Sequence, residues 1–290
     1  NISPTDTPFM SSIGKEKAEG TLHEWQTDAL AAAATNAQVE GDEIAFTAVI
    51  PTSRINNRTQ ISRKSVIVSG TQDTVNTAGR NQELAYQISK NAKELKRDME
   101  LVLCNNQSAA VGGAAAARTS SGLASWIQTN INAIGANGAV GGTDTPGILR
   151  TNGTQRAFTE AQLKGVAAST WNSGGDPSMI MLGSFNKQKL SGFTGGSTKM
   201  TQADDKKLVA AIDIYESDFG SMTVVPNRFS RSRDVFVLQP DMWAVAYLRD
   251  FQMIDLAKTG DAEKKAMLAE YTLVAKNEAA NGAIFDLTTA

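Results

Sequence analysis

His23 and Cys104 are the only histidine and the only cysteine in the 290-residue chain, so they form the single Cys/His nucleophile pair the sequence could assemble. His23 falls in an extended segment and Cys104 near the end of a helical one, and Cys104 therefore reads as a core cysteine. One residue of each type cannot supply a Cys/His zinc site, and a lone cysteine cannot close an internal disulfide. The stretch Gly195-Gly196-Ser197-Thr198-Lys199 resembles a phosphate loop only superficially. Thr198 stands where a Walker glycine must precede the lysine, and Met200 where a hydroxyl residue must follow. Neither a Gly-x-Ser-x-Gly elbow nor a His-Glu-x-x-His pair occurs. Asp204 and Asp205 sit beside Lys206 and Lys207 as a solvated loop would. Lys90, Lys93 and Arg97 share a helical stripe that could face nucleic acid. Glu94, Asp98 and Glu100 occupy the same turns, however, which favours a solvated face. For a soluble α/β hydrolase, Ser184 or Asp176 would be the candidates. The residues thus name no catalytic, cofactor-binding or metal-ligating set.

The elements that would carry chemistry are clearer than the chemistry. Leu84, Ile88, Ala92, Leu95, Met99, Val102 and Leu103 recur at steps of three and four from Asn81 to Asn105, uninterrupted by Gly or Pro, and predict a long amphipathic helix. Upstream, Asn1 to Gly20 contains Pro4 and Pro8 and a small apolar cluster of Phe9, Met10 and Ile13, which reads as an extended arm. Thr21 to Asp28, Glu43 to Ile50 and Gln60 to Ser69 are strand-like. Pro51 and the pair Asn56, Asn57 punctuate them, and together they predict a long projecting hairpin. Gly112 to Gly122 and Ala136 to Gly153 read as glycine-rich loops around a short helical candidate containing Leu123, Trp126 and Ile127. Beyond them come a helix from Thr159 to Ser173 with a capping box from Thr159 to Gln162, a buried strand at Ser178 to Leu182, and a helix at Phe185 to Leu190. Strand candidates follow at Leu208–Tyr215, Met222–Val225, Val235–Leu238, Trp243–Leu248, Ala269–Lys276 and Gly282–Leu287. No internal repeat is present, which disfavours solenoids and propellers.

Charge narrows the class of function. Lys plus Arg total 28 against 30 for Asp plus Glu, a formal charge of −2, which gives no chain-wide basic field for gripping a phosphate backbone. Apolar runs are far short of the roughly 20 residues that cross a bilayer, so no membrane partner is expected. The single cysteine and the lack of a basic-then-apolar leader in the first twenty residues suit an intracellular folding compartment. The start at Asn1 reads as a processed or trimmed chain. Asn-x-Ser/Thr triplets at Asn57, Asn106 and Asn152 are then incidental. The charges are segregated along the first quarter. Residues 1–43 hold eight acids and two bases, whereas residues 44–72 hold Arg54, Arg58, Arg63 and Lys64 and no acid. An arm of one sign and a loop of the other suggest surfaces that meet on neighbouring copies, the alternative being pairing within one chain.

This order of arm, hairpin, long helix, glycine-rich loops and α/β half resembles the Hong Kong 97-type fold of tailed-phage major capsid proteins, an α+β class. The resemblance extends to Ser3-Pro-Thr-Asp-Thr-Pro-Phe-Met10, Thr21-Leu-His-Glu-Trp-Gln-Thr-Asp28, Arg58-Thr-Gln-Ile61 with Val68-Ser-Gly-Thr71, Glu94-Leu-Lys-Arg-Asp-Met-Glu100 and Tyr271-Thr-Leu-Val-Ala-Lys-Asn-Glu278. It implies an arm at 1–20, an extended loop at 21–65, a peripheral domain at 66–119 with its spine helix at 81–105, an axial domain at 120–250, and return strands at 251–290. It further implies a virion capsid subunit, assembled in the host cytoplasm, that is not an enzyme and needs no cofactor. Copies would form pentamers and hexamers of an icosahedral shell around double-stranded DNA, with scaffolding, portal or cement proteins as possible partners. A bacterial nanocompartment shell on the same fold is the nearest alternative. Phe9, Met10, Ile13 and Trp25 are expected to bury themselves on a neighbour, with Arg54 and Arg58 at the same contacts. Some members of the fold lock their shells with Lys–Asn isopeptide bonds from the extended loop. No lysine lies between Lys17 and Lys64 here, which predicts a non-covalent shell.

Overall fold

The computed structural model of the chain describes residues 4–28, 30–44, 46, 48–49, 51–75, 83–134, 149–193 and 213–290. The stretch Gly195 to Lys199, the pair Asp204 and Asp205, the loop core at 136–148, the first residues of the expected long helix and most of the strand expected from Leu208 lie outside them.

That helix, α3, spans Glu83–Cys104, about 33 Å at 1.5 Å per residue. Its apolar periodicity puts Leu95, Met99 and Leu103 wholly inside the protein, on the face it turns toward a four-stranded sheet. This sheet has the order β1-β10-β11-β4, from Gly14–Lys17, Trp243–Asp255, Ala262–Ala275 and Gln60–Ser69. β1 runs parallel to β10, and β11 pairs antiparallel with both β10 and β4. Both long strands outrun their predicted lengths. Polar residues such as Arg249, Asp250, Glu263 and Lys264 break the apolar run, yet the hydrogen-bonded ladder continues past them on a partly exposed face.

A second sheet, order β5-β12-β9-β6-β8-β7, is built from Asn130–Asn132, Gly282–Ile284, Val235–Leu238, Met179–Leu182, Gly220–Pro226 and Ile214–Ser217. β6 and β9 are buried along their whole length, which accounts for their uninterrupted apolar sequences. On one face lies α5, Glu160–Asn172, started by the expected capping box: Thr159 Oγ1 accepts from Gln162 N, and Gln162 Oε1 accepts from Thr159 N. α5 approaches β12 so closely that a Cβ on Gly282 would lie 2.4 Å from Val166 Cγ1. The other face shares one apolar core with the first sheet and α3, containing Phe236, Phe285, Trp243 and Tyr271. The helix α6, Ser184–Ser191, follows β6 as predicted.

β10 and β11 belong to the first sheet, so the chain leaves the second sheet near residue 240. β12 then crosses back into the second sheet. Asn281 holds this crossing: its Oδ1 accepts from Gln239 N and Trp243 Nε1, both at 2.8 Å. The short helical candidate after Gly122 is one turn, α4, Leu123–Trp126, before β5.

Candidate assembly interface

The arm ends inside its own subunit. Pro8 opens a single helical turn, α1, Pro8–Ser12, whose first amides have no partner within the turn. Phe9 N donates to Glu100 Oε1 and Met10 N to Glu100 Oε2, each at 2.8 Å, and Asn227 Nδ2 donates to Oε1 at 2.7 Å. Phe9 packs edge-on against Trp243, with ring centroids 6.3 Å apart. Phe9, Met10 and Ile13 all belong to the shared core, and β1 continues the docking with Ala18 N bonded to Tyr247 O. The expectation that Phe9, Met10 and Ile13 bury themselves on a neighbour is therefore corrected: their own subunit already removes them from solvent. Glu100 is corrected too. It is 0% exposed, not part of a solvated stripe, and burial pushes its carboxyl pKa above the ordinary value against the pull of its three donors. Cys104 lies one helical turn beyond Glu100, and this i, i+4 spacing beside the Leu95–Met99–Leu103 stripe was the signal in the sequence.

The hairpin is a separate ribbon formed by β2, Leu22–Thr27, and β3, Ser53–Arg58, paired antiparallel from Leu22↔Arg58 to Thr27↔Ser53. Its return strand is thus Ser53–Arg58, whereas Gln60–Ser69 joins the four-stranded sheet. Asn56 and Asn57 are buried strand residues, not turn punctuation. Asn57 explains its own placement. Its Nδ2 donates to Leu273 O at 2.7 Å, and its Oδ1 accepts from Ser121 N at 2.9 Å, so its amide completes backbone pairing that the ribbon interrupts. Trp25 Nε1 donates to Ala275 O at 2.8 Å while the ring rests against Trp126. Trp25 therefore anchors the ribbon to its own subunit and remains partly exposed. At the ribbon's foot, Thr59 is wholly buried and every polar group of it is engaged: N to Thr21 O, Oγ1 to Glu270 Oε1, and O from Arg118 Nε. Glu270 also accepts from Arg118 and Arg249. None of this network was visible in sequence, because its directly bonded members lie as much as 211 residues apart.

Between β2 and β3 the chain runs through residues 28–52, whose described members form no strand or helix and lie exposed. Among them Leu30 is 100%, Phe46 94% and Val49 93% accessible, with Val39 and Ile44 at 77% each. Arg54 opposes Gln26 on the ribbon, and its guanidinium lies 3.8 Å from Glu24, both side chains well exposed. Lys64 reaches Asp98 on α3 at 2.8 Å. Part of the charge segregation is thus closed within one chain. Arg58 ends β3 partly exposed.

The residues considered for catalysis are scattered. His23 stacks on Trp25 in the ribbon, and Cys104 is sealed beside Asn227, where burial pushes its thiol pKa well above the ordinary value. Ser184 and Asp176 lie exposed at the start of α6 and ahead of β6. Among the described residues no group of three or more His, Cys, Asp or Glu is placed to hold a metal ion, and no helix is long and apolar enough to cross a membrane.

A tethered ribbon, a long projecting connector and two sheets around one spine helix describe a subunit whose outlying parts exceed its pockets, and comparison with known proteins agrees. A family model described as the SU10 major capsid protein matches residues 1–288. The chain belongs to that family. It is 30% identical over 319 aligned residues to the major capsid protein of Escherichia phage Phieco32, covering 98% of this chain and 91% of that one. Solved structures with the same fold include the cyanophage A-1(L) capsid asymmetric unit, with TM-score 0.65, 13% identity, and coverage of 100% and 95% of the two chains. Another is the capsid of a native GTA particle, with TM-score 0.61, 11% identity, and coverage of 99% and 92%. The fold is the Hong Kong 97-like one. As a major capsid protein the chain is a structural subunit of a phage head and not an enzyme, and neither the nanocompartment shell nor the hydrolase is favoured.

Proposed function

We propose that copies of this major capsid protein tile an icosahedral head as pentamers and hexamers around packaged double-stranded DNA, held without covalent cross-links. In this reading residues 28–52 and the Arg54 and Arg58 end of the ribbon lie on the neighbouring copy. The observation that carries it is the connector itself: among its described residues Leu30, Val39, Ile44, Phe46 and Val49 stand exposed, and those described residues form no strand or helix. Burying each on a partner stabilises by roughly 1.5 to 3 kcal/mol, and a shell repeats the gain at every contact. The near-neutral total charge suits a wall facing dense DNA without adsorbing it. Assembly takes place in the host cytoplasm, with scaffolding, portal or cement proteins as candidate auxiliaries.

The test is expression of the chain followed by sedimentation and negative-stain imaging, for the parent and for Arg54→Glu with Arg58→Glu. The parent should form particles that dissociate to monomers on a denaturing gel. The double variant should remain folded but assemble poorly, most visibly at low salt, where charge contacts are least screened. Normal particle yield from it at low salt, or a ladder of bonded subunits from the parent, would contradict the respective half of the reading.

A further inference from the structure

Asn152 and Gly153 stand at the return end of a glycine-rich loop, and both atoms that an Asn-Gly step can join are already held. Asn152 is exposed, and its Oδ1 accepts from Arg231 Nη2 at 2.6 Å. Gly153 N donates to Asp286 Oδ1 at 2.8 Å, and Gly153 O accepts from Arg233 Nη2 at 2.7 Å. Asp286 is buried, and among the described residues it is the one non-glycine residue with a positive φ, 62°. Its carboxylate also accepts from Ile134 N at 3.3 Å and pairs with Arg233 at 2.9 Å, so it grips both ends of the loop. Arg150, Arg156 and Asp234 lie close enough to share its field, and Arg231 pairs with Asp234 at 3.0 Å.

A ring-closing step needs three things: an unhindered nitrogen, a carbonyl polarised by a cation, and an acceptor on the nitrogen's proton. Gly153, Arg231 and Asp286 supply them. Attack by an amide nitrogen comes from above the peptide plane, so the N–H bond to Asp286, lying in that plane, does not block it.

We infer that Asn152 is a self-modification site, deamidated with the help of its own fold. Gly153 N bonds to Asn152 Cγ, its proton passes to Asp286, and Arg231 stabilises the charge that gathers on Oδ1. Collapse then breaks the bond from Cγ to Nδ2, which takes the proton back from Asp286 and leaves as ammonia. A succinimide ring remains. Water opens it at Cγ to give aspartate, or at the backbone carbonyl carbon to give isoaspartate. The sum is one water in and one ammonia out, with no oxidant or reductant. A carboxylate then faces Arg231 where an amide stood.

Asn281 and Gly282 form the other Asn-Gly step among the described residues, and the same chemistry is closed to it. Asn281 is wholly buried, its Oδ1 is taken by Gln239 N and Trp243 Nε1, and Gly282 lies in β12 between two strands. Water for ring opening is shut out there.

The test is to age the purified full chain folded and, in parallel, denatured in guanidinium. Trypsin cuts after Arg150 and Arg156 and isolates Thr151 to Arg156, in which mass spectrometry reads an acid for an amide, or the loss of ammonia in the ring. Asn152 should convert at least about tenfold faster in the folded chain than in the denatured one. Asn281 should convert only in the denatured chain. The folded rate at Asn152 should change little across neutral pH, because Asp286 takes the proton, whereas the denatured rate should climb with hydroxide. Asp286→Asn keeps a residue type that tolerates positive φ but removes the base, and should bring the folded rate down to the denatured one or below. Conversion of Asn152 no faster in the folded parent than in the denatured chain would overturn the inference, as would an unchanged rate in folded Asp286→Asn. If that variant fails to fold, the parent's folded and denatured rates decide alone, and neither depends on whether particles form.

Discussion

The arm at 4–20 and the connector at 28–52 are both outlying segments with a handful of apolar residues, yet one closes onto its own subunit and the other does not. The arm's Phe9, Met10 and Ile13 fall within five residues, beside a helical turn whose orphan amides meet a buried carboxylate. Leu30, Val39, Ile44, Phe46 and Val49 are spread over twenty residues with no such acceptor, and each remains exposed. Apolar content alone does not decide where a segment rests. A segment docks at home when its apolar residues are clustered and its backbone polar groups are satisfied at the same place; otherwise its surface is left for a partner.

Ranked by effect on the unassembled chain, substitutions can break or sharpen this contrast. Phe9→Ala empties a fully enclosed site and should cost about 3–5 kcal/mol in urea unfolding. A loss under about 1 kcal/mol would mean that the arm is not core. Glu100→Ala strands two arm amides and Asn227 and should cost about 2–3 kcal/mol, with early proteolysis near residues 4–17 as its signature. Glu100→Gln tests the carboxyl more finely. The folded pKa is raised above 4.5, so the stability this group contributes is fully present below its unfolded value and is lost as pH rises through the folded one. Urea midpoints from pH 4 to 7 should therefore move against the parent relative to Glu100→Gln as pH rises, and parallel curves would remove burial as the dominant cause. In the connector, Ile44→Ser with Phe46→Ser should change subunit stability by no more than about 0.5 kcal/mol while cutting particle yield. Smallest of all, Arg54→Ala removes one exposed ion pair 3.8 Å apart and should cost about 0.2 kcal/mol, the low end for such pairs.

The parts of the fold written in local pattern were legible. Helix α3 announced itself by steps of three and four, α5 by its capping box, and β6 and β9 by unbroken apolar runs. Local pattern misled where a distant partner decided the outcome. Asn56 and Asn57 look like turn residues, but the second closes hydrogen bonds to Ser121 and Leu273. Gln60–Ser69 looks like a hairpin return, but pairs with β11 instead. Of the candidate contact residues, Arg54 and Arg58 do lie on a projecting ribbon, and Trp25 ties that ribbon down. Phe9, Met10 and Ile13 were misplaced, because an apolar cluster in an arm looks the same whether its pocket belongs to the chain itself or to another. The deciding residue was Glu100, some 90 positions away.

The pairing of β1 with β10 also fixes the order in which a newly made subunit becomes competent. Residues 14–17 leave the ribosome early, but their partners at 244–247 arrive some 230 residues later, and Trp25 must wait for Ala275. With synthesis running at about 5–20 residues per second, the leading segment stays undocked for roughly 10 to 50 s. A chain that stops before residue 244 therefore lacks the strand on which β1 seats, and one that stops before Ala275 lacks the carbonyl that braces Trp25.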